Sequence, residues 1–357
     1  MNTKIKRLFQ HIKNKEFKYI FKRILTWFLP HIQGGFYNNH QFKYNIFVSS
    51  HWTRFFSMPQ DYSYIIAGSH GVGFVAFIKY MQNLGANPMT LDNMFARSDY
   101  VLLARKQAQN YKGKFYGLSI EKAYIDNTRK NILSKLNHKV PILCLVRDPI
   151  SIFRTHTHNA LMPKLVYGIK TNTIALNRGG QQEITYLDNV LKNEIYNTIN
   201  EIITFLTQTI TKSKIIPFFC FTSLNLQLTN ATKSLYFIDT NDISTPLKSF
   251  DTMKNIANIL DINFNNKIND FDANYSSMNI HKHFYIDSKD NENKFYILKD
   301  FCDNGGFEKI ILEYFNNNIE MKKYIKKYLD YELTTIKENT PKIIQSWKYY
   351  NNFLESF

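Results

Sequence analysis

Ile142-Leu143-Cys144-Leu145-Val146-Arg147-Asp148-Pro149-Ile150-Ser151 is the stretch that decides the fold. Its first five residues are apolar and have the length of a buried strand. Arg147-Asp148-Pro149 stops that strand, and Ile150, Phe153, Thr157 and Leu161 continue at helical spacing. Proline suits the first turn of a helix, where its missing N–H would have had no partner. The strand therefore delivers an arginine to the carboxyl edge of a sheet, beside a helix N-terminus, where anions bind favourably. That is a place to hold a phosphate; the alternative is a strand-end salt bridge from Arg147 to Asp148 or another acid.

Outward from this unit, strand and helix alternate. Ser63–Ala67 reads as a strand, Gly68-Ser69-His70-Gly71-Val72-Gly73 as a glycine-rich loop, and Phe74, Phe77, Ile78 and Met81 as one face of a helix ending near Gly85. The pattern predicts a helix over about 123–136, the strand at 140–146 and a long helix through Leu187–Ile210. Strands at Ile215–Phe221 and Leu235–Ile238 and a helix near 249–260 follow. Such alternation predicts an α/β fold, a three-layer, mostly parallel sheet with helices on both faces. The chain divides into a basic amphipathic helix at 1–30, a connector at 31–61, an α/β core at 62–262 and a mixed, helical C-terminal extension at 263–357.

The 357 residues, 44% hydrophobic and 15% aromatic, suffice for a substantial core despite the many Asn and Lys. A net charge of +16 favours acidic partners: nucleic acid, anionic lipid or phosphorylated small molecules. No nucleic-acid-binding signature accompanies it, neither paired metal-ligand cysteines nor a basic helix followed by heptads. Cys144, Cys220 and Cys302 are far apart and read as reduced core residues of a cytosolic protein. No cleavable signal and no apolar run of membrane-spanning length is evident, which predicts a cytoplasmic chain. Residues 1–30 carry eight Lys/Arg against Glu16, with apolar stripes and Trp27 near the end. Such a helix suits the anionic surface of the inner membrane, or packs its stripe on the main domain with a solvated basic face; the sequence leaves both open.

The two strand–loop–helix units point to anion binding in different ways. Glycines let backbone N–H groups approach an anion closely, and the helix dipole adds to that field. Gly68–Gly73 is not a GxxxxGK[ST] loop, and taken alone it fits a tight turn as well. Arg147 with Thr155 eight positions on resembles the 3′-phosphate-binding motif of sulfotransferases that use 3′-phosphoadenosine 5′-phosphosulfate. Gly117-Leu118-Ser119-Ile120-Glu121-Lys122-Ala123-Tyr124 is similar to the Glu-Lys-x-x-Tyr segment of carbohydrate sulfotransferases. Leu235–Ile243 with the helix at 249–260 resembles that family's strand, acidic turn and helix. The whole chain also resembles an uncharacterised family from epsilonproteobacterial surface-glycan loci.

The resemblance implies a P-loop, sulfotransferase-like fold over about 62–262 and that nucleotide as donor substrate, with no metal. It implies that Arg147 and Thr155 grip the 3′-phosphate, with Ser151 as a further phosphate ligand or a helix cap. Gly68, Ser69, Gly71 and Gly73 would cradle the 5′-phosphosulfate. Glu121 becomes the leading candidate for the base, His70 the second, and Lys122 a cation at the transferred group. One departure stands out: the family's loop carries Lys or Arg, so here either the donor differs, or His70 and another cation such as Lys122 replace the missing charge.

Three functions follow from these residues. The first is a transferase moving a sulfuryl group to a hydroxyl of a bacterial surface glycan or its precursor. The second is a glycosyltransferase or other nucleotide-donor transferase, for which Asp270-Phe271-Asp272 is a formal Asp-x-Asp match inside an Asn/Asp-rich segment. The third is a nucleotide- or glycan-binding protein without catalysis. A metal reading of the His-x-His pairs fares poorly. His156 and His158, two apart on a helix, point roughly 200° from each other, and neither they nor His281/His283 are accompanied by matching Cys or carboxylate spacing.

Overall fold

The structure is a computed structural model that describes residues 58–69, 71–91, 104, 107–121, 133, 135–153, 155, 197, 221–272 and 306–357. The N-terminal basic helix, His70, Lys122, both His-x-His pairs and the helix through Leu187–Ile210, apart from residue 197, lie outside the described residues.

Five described strands form one sheet: β1 (Ile65–Gly68), β2 (Pro88–Thr90), β3 (Gly117–Glu121), β4 (Val140–Val146) and β5 (Thr232–Asp239). Their order is β2-β3-β1-β4-β5, and every pairing is parallel. A parallel sheet is buried on both faces, and β1 and β4 accordingly read as continuous apolar runs. Side chains alternate between the faces. Tyr64, Ile66, Leu143 and Leu145 belong to one buried cluster, whereas Ile65, Ala67, Leu118, Ile120 and Ile142 belong to another. The α/β reading therefore holds, with apolar packing on both faces.

The described helices are α1 (Phe74–Asn83), α2 (Phe221–Leu228), α3 (Pro246–Leu260), α4 (Gly306–Asn317), α5 (Ile319–Asn339), α6 (Pro341–Gln345) and α7 (Lys348–Glu355). Phe74, Phe77, Tyr80 and Met81 are the buried face of α1, as the periodicity predicts, with Ile78 partly buried. The start of α3 is earlier than expected because Thr245 caps it and Pro246 occupies its first turn. Two readings need correction. Phe221 opens a helix instead of ending a strand. Glu121, expected in a loop before a helix, is the last residue of β3, a strand whose Gly117 and Ser119 break up its apolar pattern.

The C-terminal helices are built into the same apolar cluster as the sheet. Phe315, Ile325, Leu329, Leu333, Ile336, Ile344, Trp347, Tyr350 and Phe353 share it with Tyr64, Leu143 and Leu145. Asp330 on α5 ties this region together: its carboxylate pairs with Lys326 at 2.5 Å and Lys337 at 2.7 Å, and accepts from the Tyr350 hydroxyl at 2.9 Å. Partial burial pushes the Asp330 carboxyl up, but the hydrogen bonds from Lys326, Lys337 and Tyr350 outweigh it and hold the group below its ordinary value. A depressed folded-state value contributes stability above the unfolded-state value that is lost as pH falls through the folded one. Asp330→Asn should therefore lower stability at pH 7 by about 1 kcal/mol, the scale of a partly exposed pair. In chemical melts across pH, the gap to wild type should close as pH drops below about 4.

Gly117 illustrates why the sheet tolerates no side chain at the start of β3. A Cβ there would lie 2.3 Å from the Tyr64 ring, and that ring is fixed by a 2.7 Å hydrogen bond from its hydroxyl to the Ala86 carbonyl. The ring also stacks on Phe115 at 5.7 Å between centroids. Gly117→Ala should cost about 1–3 kcal/mol by overpacking, read as a shift of the urea midpoint at unchanged slope.

Candidate functional site

The carboxyl edge of the sheet has a point where neighbouring strands send their chains in opposite directions. From β1 the chain passes through α1 to β2 at one edge, whereas β4 is succeeded in the sheet by β5 at the other edge. Crevices outside such a switch point are where open α/β sheets bind ligands. The glycine loop after β1 and Arg147 after β4 both lie here, since Gly68 is in register with Leu145 on one side and with Glu121 on the other. Strand order thus brings together three segments that the sequence separates by up to about eighty residues.

The loop has the conformation glycine permits. Gly71 has φ +86° and Gly73 has φ +76°, left-handed values that side chains strain to adopt. Gly68 has neighbours on three sides: a Cβ would meet Val72 Cγ2 at 3.0 Å and Leu145 Cβ and Phe74 Cδ2 at 3.3 Å.

Arg147 closes onto this loop. Its Nη1 donates to the Gly71 carbonyl at 2.8 Å and to Thr155 Oγ1 at 3.0 Å, while Thr155 donates onward to the Ser151 carbonyl at 3.1 Å. Arg147 and Thr155, the two residues the resemblance assigns to a 3′-phosphate, thus lie in hydrogen-bond contact with each other. The same guanidinium nitrogen also clips the glycine loop to the helix that begins at residue 149. Thr240 adds a second clip from the far side, with its Oγ1 2.9 Å from the Val72 carbonyl and 3.0 Å from the Val146 carbonyl. In a trans peptide the C=O and the following N–H point in opposite directions. Drawing the Gly71 carbonyl to Arg147 and the Val72 carbonyl to Thr240 therefore fixes the Val72 and Gly73 N–H groups, each directed away from its own carbonyl's partner.

Electrostatics single out one helix end at this edge. Asp148 Oδ1 accepts from Ile150 N at 2.9 Å, and its Oδ2 accepts from Tyr349 N at 2.9 Å and Tyr350 N at 3.1 Å. The helix beginning at 149 and α7 are thus both capped by the protein's own carboxylate. α1 differs: Gly73 supplies no side-chain cap, and no acid lies in the first turn. Its orphan N–H groups and dipole favour an anion. Beside it, Ser69 is fully buried, and its hydroxyl has no hydrogen-bond partner among the described residues. A buried hydroxyl left so is costly, and an anion bound at the loop would satisfy it.

Burial pushes the Asp148 and Asp239 carboxyls up, and hydrogen bonds oppose the rise in both. For Asp148 these come from the backbone of Tyr350, Ile150, Ser151 and Tyr349. For Asp239 they come from Asn241 N, Trp347 and Ser346, against a further push upward from Asp242.

The remaining predicted residues divide as follows. Glu121 is partly buried at the carboxyl end of β3, paired with Gly68 and so at the same edge. Ser151 is buried, with its backbone N–H to Asp148 and its carbonyl to Thr155, so Asp148 supplies the cap that Ser151 was a candidate for. His70 and Lys122 lie outside the described residues. Asp270 serves a turn at the other end of α1: its Oδ2 accepts from Lys267 N at 2.8 Å, and its carbonyl accepts from Asn83 Nδ2 at 2.6 Å. The formal Asp-x-Asp match thus sits a helix length, about 15 Å, from the glycine loop. Among the described residues no group of three or more His, Cys, Asp or Glu could hold a metal ion.

The sequence offered Asp148 only as a salt-bridge partner of Arg147, and Asp239 and Thr240 only as part of an acidic turn, so their hydrogen-bonded roles and that of Trp347 come from the structure. The signals available were an Asp directly before Pro149, which is an N-cap pattern, and an Asp-Thr pair at a strand end. Nothing in the sequence flags Trp347.

Among the described residues no helix is long and apolar enough to cross a membrane. A family model described as a protein of unknown function (DUF2972) matches residues 306–356, the segment that contains α4 to α7. No curated protein and no solved structure matches the chain.

Proposed function

We propose that this protein is a sulfotransferase-like transferase that binds an adenine-nucleotide donor at the carboxyl edge of β1 and β4. The donor is 3′-phosphoadenosine 5′-phosphosulfate, and the acceptor is a hydroxyl of a bacterial surface glycan or its precursor. One observation carries the reading: Arg147 reaches both Thr155 and the Gly71 carbonyl, so the arginine motif and the glycine loop lie together. The uncapped N-terminus of α1 and the buried Ser69 hydroxyl, without a partner among the described residues, add support.

In this reading the acceptor oxygen attacks sulfur and forms the new S–O bond. The bond from sulfur to the 5′-phosphate oxygen breaks, and adenosine 3′,5′-bisphosphate leaves with the electron pair. Glu121, beside Gly68 on β3, accepts the acceptor's proton. The loop N–H groups and the α1 dipole stabilise charge developing on the leaving phosphate, with His70 and Lys122 supplying the cation that the loop otherwise lacks. Arg147 and Thr155 orient the nucleotide through its 3′-phosphate. A basic N-terminal helix on an anionic membrane would bring the enzyme to lipid-linked precursors.

Isothermal calorimetry with adenosine 3′,5′-bisphosphate tests the assignment. Wild type should bind, and Arg147→Ala should weaken binding at least about tenfold, the loss of a charge-assisted contact. Arg147→Lys should not restore it, because an ammonium is a point charge without the planar fork that matches a phosphate bidentately. Equal affinity of wild type and Arg147→Ala, or a preference of wild type for a sugar nucleotide, would falsify the proposal. Sulfate transfer from labelled donor to a glycan acceptor should fall at least about a hundredfold in Glu121→Gln, the scale of a lost general base.

A further inference from the structure

We infer that residues 346–350, within the segment matched by the family of unknown function, are positioning residues for the glycine loop, acting through Asp239 and Asp148. The inference rests on the anion-site reading and assigns that segment a part in it.

Two hydrogen-bonded routes run from the C-terminal segment to successive peptide planes of the loop. In the first, Trp347 Nε1 donates to Asp239 Oδ2 at 2.7 Å, and Ser346 Oγ lies 3.4 Å from the same oxygen. Asp239 Oδ1 accepts from Asn241 N at 2.9 Å, which fixes the turn Thr240–Ile243. Thr240 then reaches the Val72 and Val146 carbonyls, and it abuts the loop closely enough that a Cβ on Gly73 would meet its Cγ2 at 3.3 Å. In the second route, the Tyr349 and Tyr350 N–H groups hold Asp148, the residue next to Arg147, and Arg147 holds the Gly71 carbonyl.

Seating one short segment therefore sets both planes. Trp347 and Tyr350 are fully buried, so the segment is anchored by packing as well as by polar contacts. The arrangement also has an electrostatic side. Asp148 and Asp239 are buried acids at the ends of β4 and β5, beside Arg147's crevice, with 5% and 3% of their surface exposed. Removing their donors leaves two poorly compensated carboxylates near the place where an anion binds, which opposes that anion directly. The C-terminal segment therefore contributes to anion affinity without touching the anion.

The test uses the full chain and two readouts. Trp347→Phe keeps an aromatic ring but removes the donor to Asp239, and Asp239→Asn breaks the same link from the other side with little change in volume. Ile256→Val, at a buried position of α3, serves as a packing control that leaves every hydrogen bond of the link in place. In the protein without ligand, amide hydrogen exchange of peptides covering 68–74 should quicken about tenfold in Trp347→Phe and in Asp239→Asn, the scale of one lost buried hydrogen bond. Exchange in β3 should stay at the wild-type rate, and Ile256→Val should leave residues 68–74 unchanged. The Kd for adenosine 3′,5′-bisphosphate should rise about tenfold in Trp347→Phe, which leaves the Asp239 carboxylate short of a donor beside the anion, whereas Asp239→Asn, which removes that charge, is read by exchange alone.

Unchanged exchange at 68–74 in the link variants, or an equal change in Ile256→Val, overturns the inference. If wild type fails to bind the bisphosphate, the proposed function falls, and the exchange comparison still decides whether the segment positions the loop. Should Trp347→Phe not fold, Asp239→Asn reads the same link.

Discussion

The buried carboxylate of Asp148 is the constraint on which the rest of the carboxyl edge depends. Taking a carboxylate out of water costs several kcal/mol even after the surroundings relax. Asp148 is tolerable there only because backbone N–H groups meet both its oxygens, from its own helix and from α7 about two hundred residues later. Hydrogen bonds to a charged group contribute about 1.5–3 kcal/mol each, so those from Ile150, Ser151, Tyr349 and Tyr350 oppose a penalty of that size. The balance is incomplete, since burial still raises the group's affinity for a proton. What the interaction accomplishes is geometric: the end of β4 fixes where α7 can sit, and α7 in turn fixes the end of β4. Asp239 repeats the arrangement one strand over with an indole donor in place of a helix end.

This explains how an Arg-Asp neighbour pair can serve an anion site. The adjacent carboxylate is the obvious partner for Arg147, yet its oxygens are engaged by backbone donors. The guanidinium instead reaches across to the glycine loop and Thr155. Strand order supplies the distance. With β1 next to β4, a residue just past Val146 lies beside the loop that follows Gly68. Had the chain returned from β4 to the opposite edge, no switch point would exist and the two motifs would face different crevices.

The sequence made some of this legible and concealed the rest, for reasons that can be read residue by residue. β4 and α1 were readable because each carries a pattern that one period explains: an unbroken apolar run for a strand buried on both faces, and Phe74, Phe77 and Met81 for an amphipathic helix. Arg147 and Thr155 were readable because both lie in that one unit. β3 was not, since Gly117 is demanded by the Tyr64 ring and Ser119 interrupts the apolar alternation to meet Thr90 across the strand pair at 3.2 Å. The local caps of Asp148 and Asp239 have sequence signals, but their contacts to the C-terminal segment were unreadable in principle. Tyr349, Tyr350 and Trp347 lie more than a hundred residues away, and no local pattern encodes which carboxylate a distant helix N-terminus or indole will find.

Helix ends provide the last step. A helix N-terminus attracts whatever negative charge is nearest, so a protein that binds an anion at one helix must satisfy the others with its own acids. Here the helix at 149 and α7 share a single aspartate, the turn after β5 has Asp239, and α3 has Thr245. At the start of α1 there is only Gly73, preceded by a loop whose carbonyls are held back and whose buried serine lacks a partner among the described residues. With these starts capped from within, the start of α1 is the place at this edge where the proposed anion would meet uncapped N–H groups. The chain's excess of 45 basic over 29 acidic residues raises the local concentration of such anions before any specific contact forms. In the proposed reading, selectivity at the edge follows from where the protein has placed its own carboxylates, and Asp148 and Asp239 are held there by donors from the C-terminal segment.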